Sequence, residues 1–122
     1  MKKSVSKKPT GHDRSNCPVA CSLDLLGDKW TLLLVRDMFL GKCRYGEFLE
    51  SPESIPTNIL VERLNRLLEA GVISKEPYQN NPIRYSYKLT DKGNELGPIV
   101  IGLVHWGEKH IPGTKAAKTV PR

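Results

Sequence analysis

Three cysteines, three histidines and a scatter of carboxylates are the side chains here that could carry covalent or metal chemistry. Cys17 and Cys21 stand four apart, so on a helix they share a face, and His12 lies nearby. A fourth ligand of suitable type and spacing is missing, so no metal site is expected. His105 and His110, five apart, read as surface or interface residues rather than ligands. The chain has no Gly-rich phosphate loop, no H-E-x-x-H and no G-x-S-x-G, and its carboxylates are not paired. No enzyme constellation and no cofactor site are expected. What remains is thiol chemistry. Pro18 suits the first position of a helix, which puts Cys17 at a helix N-terminus, where the positive end of the dipole favours the thiolate. Cys17 reads either as a redox- or electrophile-sensing thiol or as a small residue filling a helix junction. Cys43, in the turn between Gly41 and Arg44, is a candidate partner for it, and Cys21 reads as buried and inert.

A second kind of chemistry, recognition by polar side chains, is concentrated between Ser54 and Val72. Leu60, Leu64, Leu67 and Leu68 recur at the spacing of one helix stripe, and Asn58, Glu62, Asn65 and Glu69 fall opposite, with Ile59 and Arg66 beside them. Thr57 is the expected N-cap and Gly71 the expected stop. Such a helix anchors one face in a core and can present the other to base edges in a major groove. Taken alone, the same pattern also suits an ordinary surface helix.

The elements around it follow in order. A first helix opens at Cys17-Pro18 and stops at Gly27. Asp28 caps a second, Lys29–Leu40, which is apolar almost all round and should be the most buried, with Trp30 in a packing role. A short third helix is expected at Tyr45–Glu50, and the Ser54–Val72 helix is the fourth. After Gly71 the period changes from 3.6 to 2. Ile73, Lys75, Pro77 and then Ile83, Tyr85, Tyr87, Leu89 read as two strands, with Gln79–Pro82 as the turn and Pro77 at an edge or bulge. Thr90 caps a last helix that Pro98 should kink or restart. Its residues Ile99, Leu103 and Trp106 extend the apolar surface too far round for one packing face, which reads as a dimer seam. The fold class is therefore mainly α with a small β-hairpin: a winged helix-turn-helix extended by N- and C-terminal dimerisation helices.

At 122 residues the chain is one domain's worth, and its formal charge is +6. The charge sits at the ends. Residues 1–16 read as a flexible basic arm of net +4 and residues 112–122 as a flexible basic tail of net +3. The domain between, residues 17–111, holds eleven basic and twelve acidic residues, so a nucleic-acid argument must rest on where its charges lie. No apolar run could span a membrane, and an odd cysteine count without a secretion signal points to the cytoplasm.

Several stretches together resemble the HxlR-type family of bacterial winged-helix regulators, related to the MarR group. They are C-P-V at 17–19, G-D-K-W at 27–30, R-Y-G-E-F at 44–48, L-V-E-R-L-N-R-L-L-E-A-G-V at 60–72, P-I-R-Y-S-Y-K-L-T-D-K-G at 82–93 and P-I-V-I-G-L-V-H-W-G at 98–107. One departure is Pro56-Thr57, where many members have a Ser before the recognition helix. The resemblance implies a homodimeric transcription regulator, read as a repressor, that binds double-stranded DNA at an inverted-repeat operator. Thr57, Asn58, Glu62 and Arg66 of the fourth helix would then face the groove, while Arg44, Gln79, Asn80 and Arg84 would hold the backbone. Cys17 matches the position that some redox- and electrophile-sensing members use. A small-molecule or electrophile effector fits the family, and a protein-interaction module or a small thiol enzyme are the readings from other classes.

Overall fold

The structure, a computed structural model, describes residues 15–116. Residues 1–14 of the basic N-terminal arm and residues 117–122 of the tail lie outside the described residues. The chain divides into two units, Met1–Thr31 and Leu32–Arg122.

The described part of the first unit holds helix α1, Pro18–Leu26. Cys17 is its N-cap, in extended conformation, and Pro18 takes the first helical position, where its missing N–H would be unpaired in any case. Ser15 ties down the entry. Its hydroxyl accepts from the Cys17 N–H at 2.9 Å, and its carbonyl accepts from the Cys21 thiol at 3.3 Å. Cys21 is half-buried, less enclosed than its apolar neighbours suggest. Gly27 ends the helix, and Asp28 then caps the next: its carboxylate accepts from the Trp30 and Thr31 N–H groups at 3.0 and 3.2 Å. Trp30 is half-buried, with the Lys29 ammonium 5.1 Å above its ring.

The second unit carries most of helix α2, Thr31–Phe39, then α3, Tyr45–Leu49, and α4, Thr57–Glu69. The strands β1, Ile73–Asn80, and β2, Ile83–Leu89, form an antiparallel hairpin, followed by α5, Asp91–Asn94, and α6, Gly97–His110. Helix α2 is the buried centre, as its composition implies: Leu34 and Val35 are almost fully enclosed, and Val35 clusters with Val100 of α6. Its one buried acid, Asp37, is satisfied on every side. It accepts from Arg36 at 2.8 Å and from the Ser51 hydroxyl at 2.6 Å, while Arg36 also grips Glu53 through two bonds of 2.8 Å. This network staples α2 to the turn after α3. Glu53 raises the Arg36 guanidinium's proton affinity, and Arg36 in return holds the Glu53 carboxyl below its ordinary range. The stabilisation from Glu53 is therefore present above the usual carboxylate range and is lost as pH falls through its lowered value.

Helix α4 differs from expectation at its start. Pro56, not Thr57, is the N-cap residue; its carbonyl accepts from the Leu60 N–H at 2.9 Å, and Thr57 already lies inside the helix with no capping bond. Proline's fixed φ holds the chain extended up to the helix entrance, so the turn needs no side-chain cap there. Its end is a Schellman motif. The Gly71 N–H reaches the Leu68 carbonyl at 3.1 Å and the Val72 N–H reaches that of Leu67 at 3.0 Å, with Gly71 at φ +76°. A side chain at Gly71 would be strained there by about 1–2 kcal/mol.

The hairpin pairs further than the sequence suggests. Gln79 faces Arg84 and Asn80 faces Ile83, so both are strand residues and only Asn81-Pro82 makes the turn. The bulge expected near Pro77 is present: Pro77 pairs with Tyr85 and Gln79 with Arg84, leaving Tyr78 without a partner residue. Arg44 adds a single bridge to Ser86, and the Tyr87 N–H donates to the Cys43 carbonyl at 2.7 Å, so the stretch read as a turn works as a minimal third strand. Thr90 caps α5 and its hydroxyl donates back to the Gly71 carbonyl at 2.6 Å. Gly93 must be glycine because a Cβ there would strike the Val72 carbonyl oxygen. Helix α6 restarts at Gly97-Pro98, as the proline implies.

Candidate nucleic-acid interface

Helix α4 buries Leu60, Leu64 and Leu67 to within 2% exposure. With that stripe inward, Asn58, Glu62, Asn65 and Glu69 are exposed on the other side, and Thr57 is exposed at the start of the helix. Val61, which the sequence reading passed over, is 46% exposed in the same face. The face is not made of independent side chains. The Glu62 carboxylate pairs with Arg63 and stands 3.6 Å from Arg66, so Arg66 lies against the helix edge rather than projecting from it.

The wing presents exposed Gln79, Asn80 and Arg84 near its tip. The Gln79 side-chain amide donates to the Pro82 carbonyl at 3.0 Å and so stiffens the turn. Arg44 is held from three directions. Its N–H donates to the Glu47 carboxylate at 3.0 Å, its backbone bridges Ser86, and its guanidinium carbon lies 3.8 Å from the centre of the Tyr78 ring. Glu47 accepts a second bond from the Cys43 N–H at 2.8 Å, and these backbone donors keep its carboxyl below the ordinary range. A guanidinium stacked by its face keeps its N–H edge available for a phosphate. Tyr78 was not foreseen; its only sequence signal is its place next to a strand proline, where a bulge swings a side chain out of register.

Elsewhere, α6 exposes Ile99, Leu103 and Trp106 at 45%, 55% and 59%, spaced as one helix stripe. The stripe runs into an apolar cleft of about 890 Å³ lined by Leu32, Leu33 and Leu40 of the α2 segment and by Val100, Leu103 and Val104. The described part of the tail is tied to the end of α6, with the Thr114 hydroxyl donating to the Gly107 carbonyl at 2.9 Å. In the first unit Cys17 is exposed, and the backbone N–H groups of Ala20 and then Val19 hold its thiol below its usual value. All three cysteines are unpaired thiols, and the described residues contain no metal-binding cluster and no helix long and apolar enough to cross a membrane.

The family profile described as HxlR-like helix-turn-helix matches residues 25–115. The chain belongs to the HxlR-like helix-turn-helix family. An HTH-type transcriptional regulator of Mycobacterium bovis is 36% identical over 94 residues, 77% of this chain and 59% of that protein, so the chain spans well under two-thirds of that relative's length. Among solved structures, PA1607 is 40% identical with a TM-score of 0.78, over 93% of this chain and 80% of its own. The redox regulator HypR in its reduced form is 35% identical with a TM-score of 0.72, over 79% of this chain and 95% of its own. The architecture of this HxlR-like chain is thus a winged helix-turn-helix, and its relatives include transcriptional regulators of the helix-turn-helix type.

The Arg44–Tyr78 stack should be measurable without any ligand. In a double-mutant cycle on denaturant unfolding, Arg44→Ala and Tyr78→Ala are each expected to lose about 0.5–1 kcal/mol, and the pair little more than either alone. Fully additive losses would show that the two side chains do not interact in solution.

Proposed function

We propose that this chain is a sequence-specific double-stranded DNA-binding regulator, acting as a homodimeric repressor on an inverted-repeat operator. The observation that carries the reading is the polar outward face of α4, set by its buried leucines, beside a wing that ends in exposed Arg84. In this reading α4 enters the major groove, with Asn58 contacting base edges and Thr57, Glu62 and Arg66 at the margin of the contact. Arg44, Arg84, Gln79 and Asn80 hold the phosphate backbone, which supplies affinity without sequence information. The α6 stripe of Ile99, Leu103 and Trp106, continuous with the apolar cleft, supports pairing with a second copy. Two copies place two α4 helices on half-sites about 34–36 Å apart. The named relatives being regulators supports the same reading.

Binding measured against salt tests this directly. Affinity should fall steeply with ionic strength, and Arg84→Ala should weaken all sequences alike while reducing the salt slope by about one. Sedimentation should give a dimer that Trp106→Ala weakens. A stable monomer at micromolar concentration with no salt-dependent DNA affinity would contradict the proposal and favour a protein-interaction module.

The lowered proton affinity of the exposed Cys17 thiol, with the likeness to a redox regulator, supports a thiol switch on this DNA binding. Its thiolate can add to a quinone-like electrophile, or attack hydrogen peroxide, breaking the O–O bond to give the sulfenic acid and hydroxide, which solvent protonates. The modified thiol must fit the DNA-bound and free shapes differently, since an equal fit would shift nothing. Peroxide or a quinone is expected to release DNA from the natural chain and not from Cys17→Ser. An equal response in both would remove Cys17 from the mechanism.

A further inference from the structure

Three residues along one side of the outward α4 face share a preference for one kind of base pair. We infer that α4 reads A·T pairs in its half-site, through the amides of Asn58 and Asn65 and the apolar surface of Val61. The inference rests on the DNA-binding reading above and adds to it the chemistry of the sequence recognised.

Asn58 and Asn65 are exposed and Val61 is 46% exposed. At about 100° per residue the three fall within an arc of about 60°, from Val61 at roughly a right angle to the buried leucines to Asn58 nearly opposite them. A carboxamide has one acceptor and two donors, which match N6 and N7 of adenine in the major groove. The thymine of the same pair shows a C5-methyl, the one apolar group on any major-groove edge of unmodified DNA, and an aliphatic side chain is what meets it. The two asparagines lie seven residues apart, about 10 Å along the axis, so they address different base pairs with Val61 between them. A single exposed valine is ordinary on a protein surface. Its position between two carboxamides is what carries the argument.

The side chains suited to a G·C pair are engaged with one another. Guanine calls for arginine or lysine and cytosine for a carboxylate. On α4 the Glu62 carboxylate pairs with Arg63 and stands 3.6 Å from Arg66, whose side chain is 31% exposed. Both charges would have to give up a partner to read a base. The two arginines beside Glu62 also offset its charge as the helix approaches a phosphate-lined groove. Asn58, Val61 and Asn65 need no such rearrangement.

Duplexes are selected from a random pool with the 122-residue chain, and thymines of the enriched half-site are replaced singly by uracil, which lacks the C5-methyl. Under the inference the positions facing α4 from Asn58 to Asn65 are A·T pairs. At least one thymine-to-uracil change lowers affinity about fourfold, the worth of one buried methyl-sized group, and that loss vanishes in Val61→Ala. Asn58→Ala lowers the preference for A·T over G·C at one position by roughly tenfold. Because the uracil change is made in the DNA, its effect cannot come from misfolded protein. G·C pairs at those positions, or a uracil effect undiminished in Val61→Ala, would overturn the inference while leaving DNA binding standing. Failure to enrich any sequence would overturn both.

Discussion

Burial of Leu60, Leu64 and Leu67 is the constraint on which the proposed recognition surface depends. The three side chains are at most 2% exposed, and fully burying a leucine stabilises by about 1.5–3 kcal/mol. Turning α4 by one residue would move that stripe about 100° toward water, at a loss of several kcal/mol. The surface ion pairs of Glu62 are worth about 0–1 kcal/mol each and cannot offset such a rotation. The core therefore decides which side chains point outward, and Asn58, Val61 and Asn65 are outward because the leucines are not. The two ends of the helix are fixed independently, by the extended Pro56 before it and the Schellman turn at Gly71 after it.

The wing is governed by a different balance. Only its base is enclosed: Ile73 is 2% exposed, and from Lys75 onward every residue of β1 is exposed. A two-stranded hairpin is marginal without further support. Here the support comes from α3 and its N-terminal turn, through the Tyr87–Cys43 backbone bond, the Arg44–Ser86 bridge, the Phe48–Tyr87 ring contact and the stack of Arg44 on Tyr78. Glu47, by holding the Cys43 and Arg44 N–H groups, fixes the turn from which that support is given. The same arginine that supports the wing thus presents its guanidinium edge beside it.

Much of this was legible in the sequence, for identifiable reasons. Apolar spacing and the Gly71 and Pro98 breaks are local signals, and they place α4, α6 and the hairpin correctly. The family resemblance over the ordered motifs carried the fold class and agrees with the match over residues 25–115. What escaped depends on partners distant in sequence. The Arg36–Glu53 and Asp37–Ser51 bonds join residues 17 and 14 apart, and no local pattern announces them. Arg44 against Tyr78 is of the same kind. The cap was misplaced by one residue because Thr57 is a good N-cap by type, while the preceding proline had already set the entrance geometry. Asn65 was seen on the outward face but left out of the expected site, and Val61 was missed, because an apolar side chain facing water has no signature until the helix rotation is known.

In the proposed complex the outward face of α4 and the tip of the wing together meet duplex DNA. Nuclear magnetic resonance of the isotope-labelled chain, titrated with a duplex carrying its selected site, locates that contact. The side-chain amides of Asn58 and Asn65 and the backbone amides of residues 79–81, 83 and 84 are expected to shift or broaden first, with those of the buried α2 core little changed. Tight binding that leaves the α4 face and the wing tip unperturbed, with shifts gathered elsewhere on the chain, would contradict it.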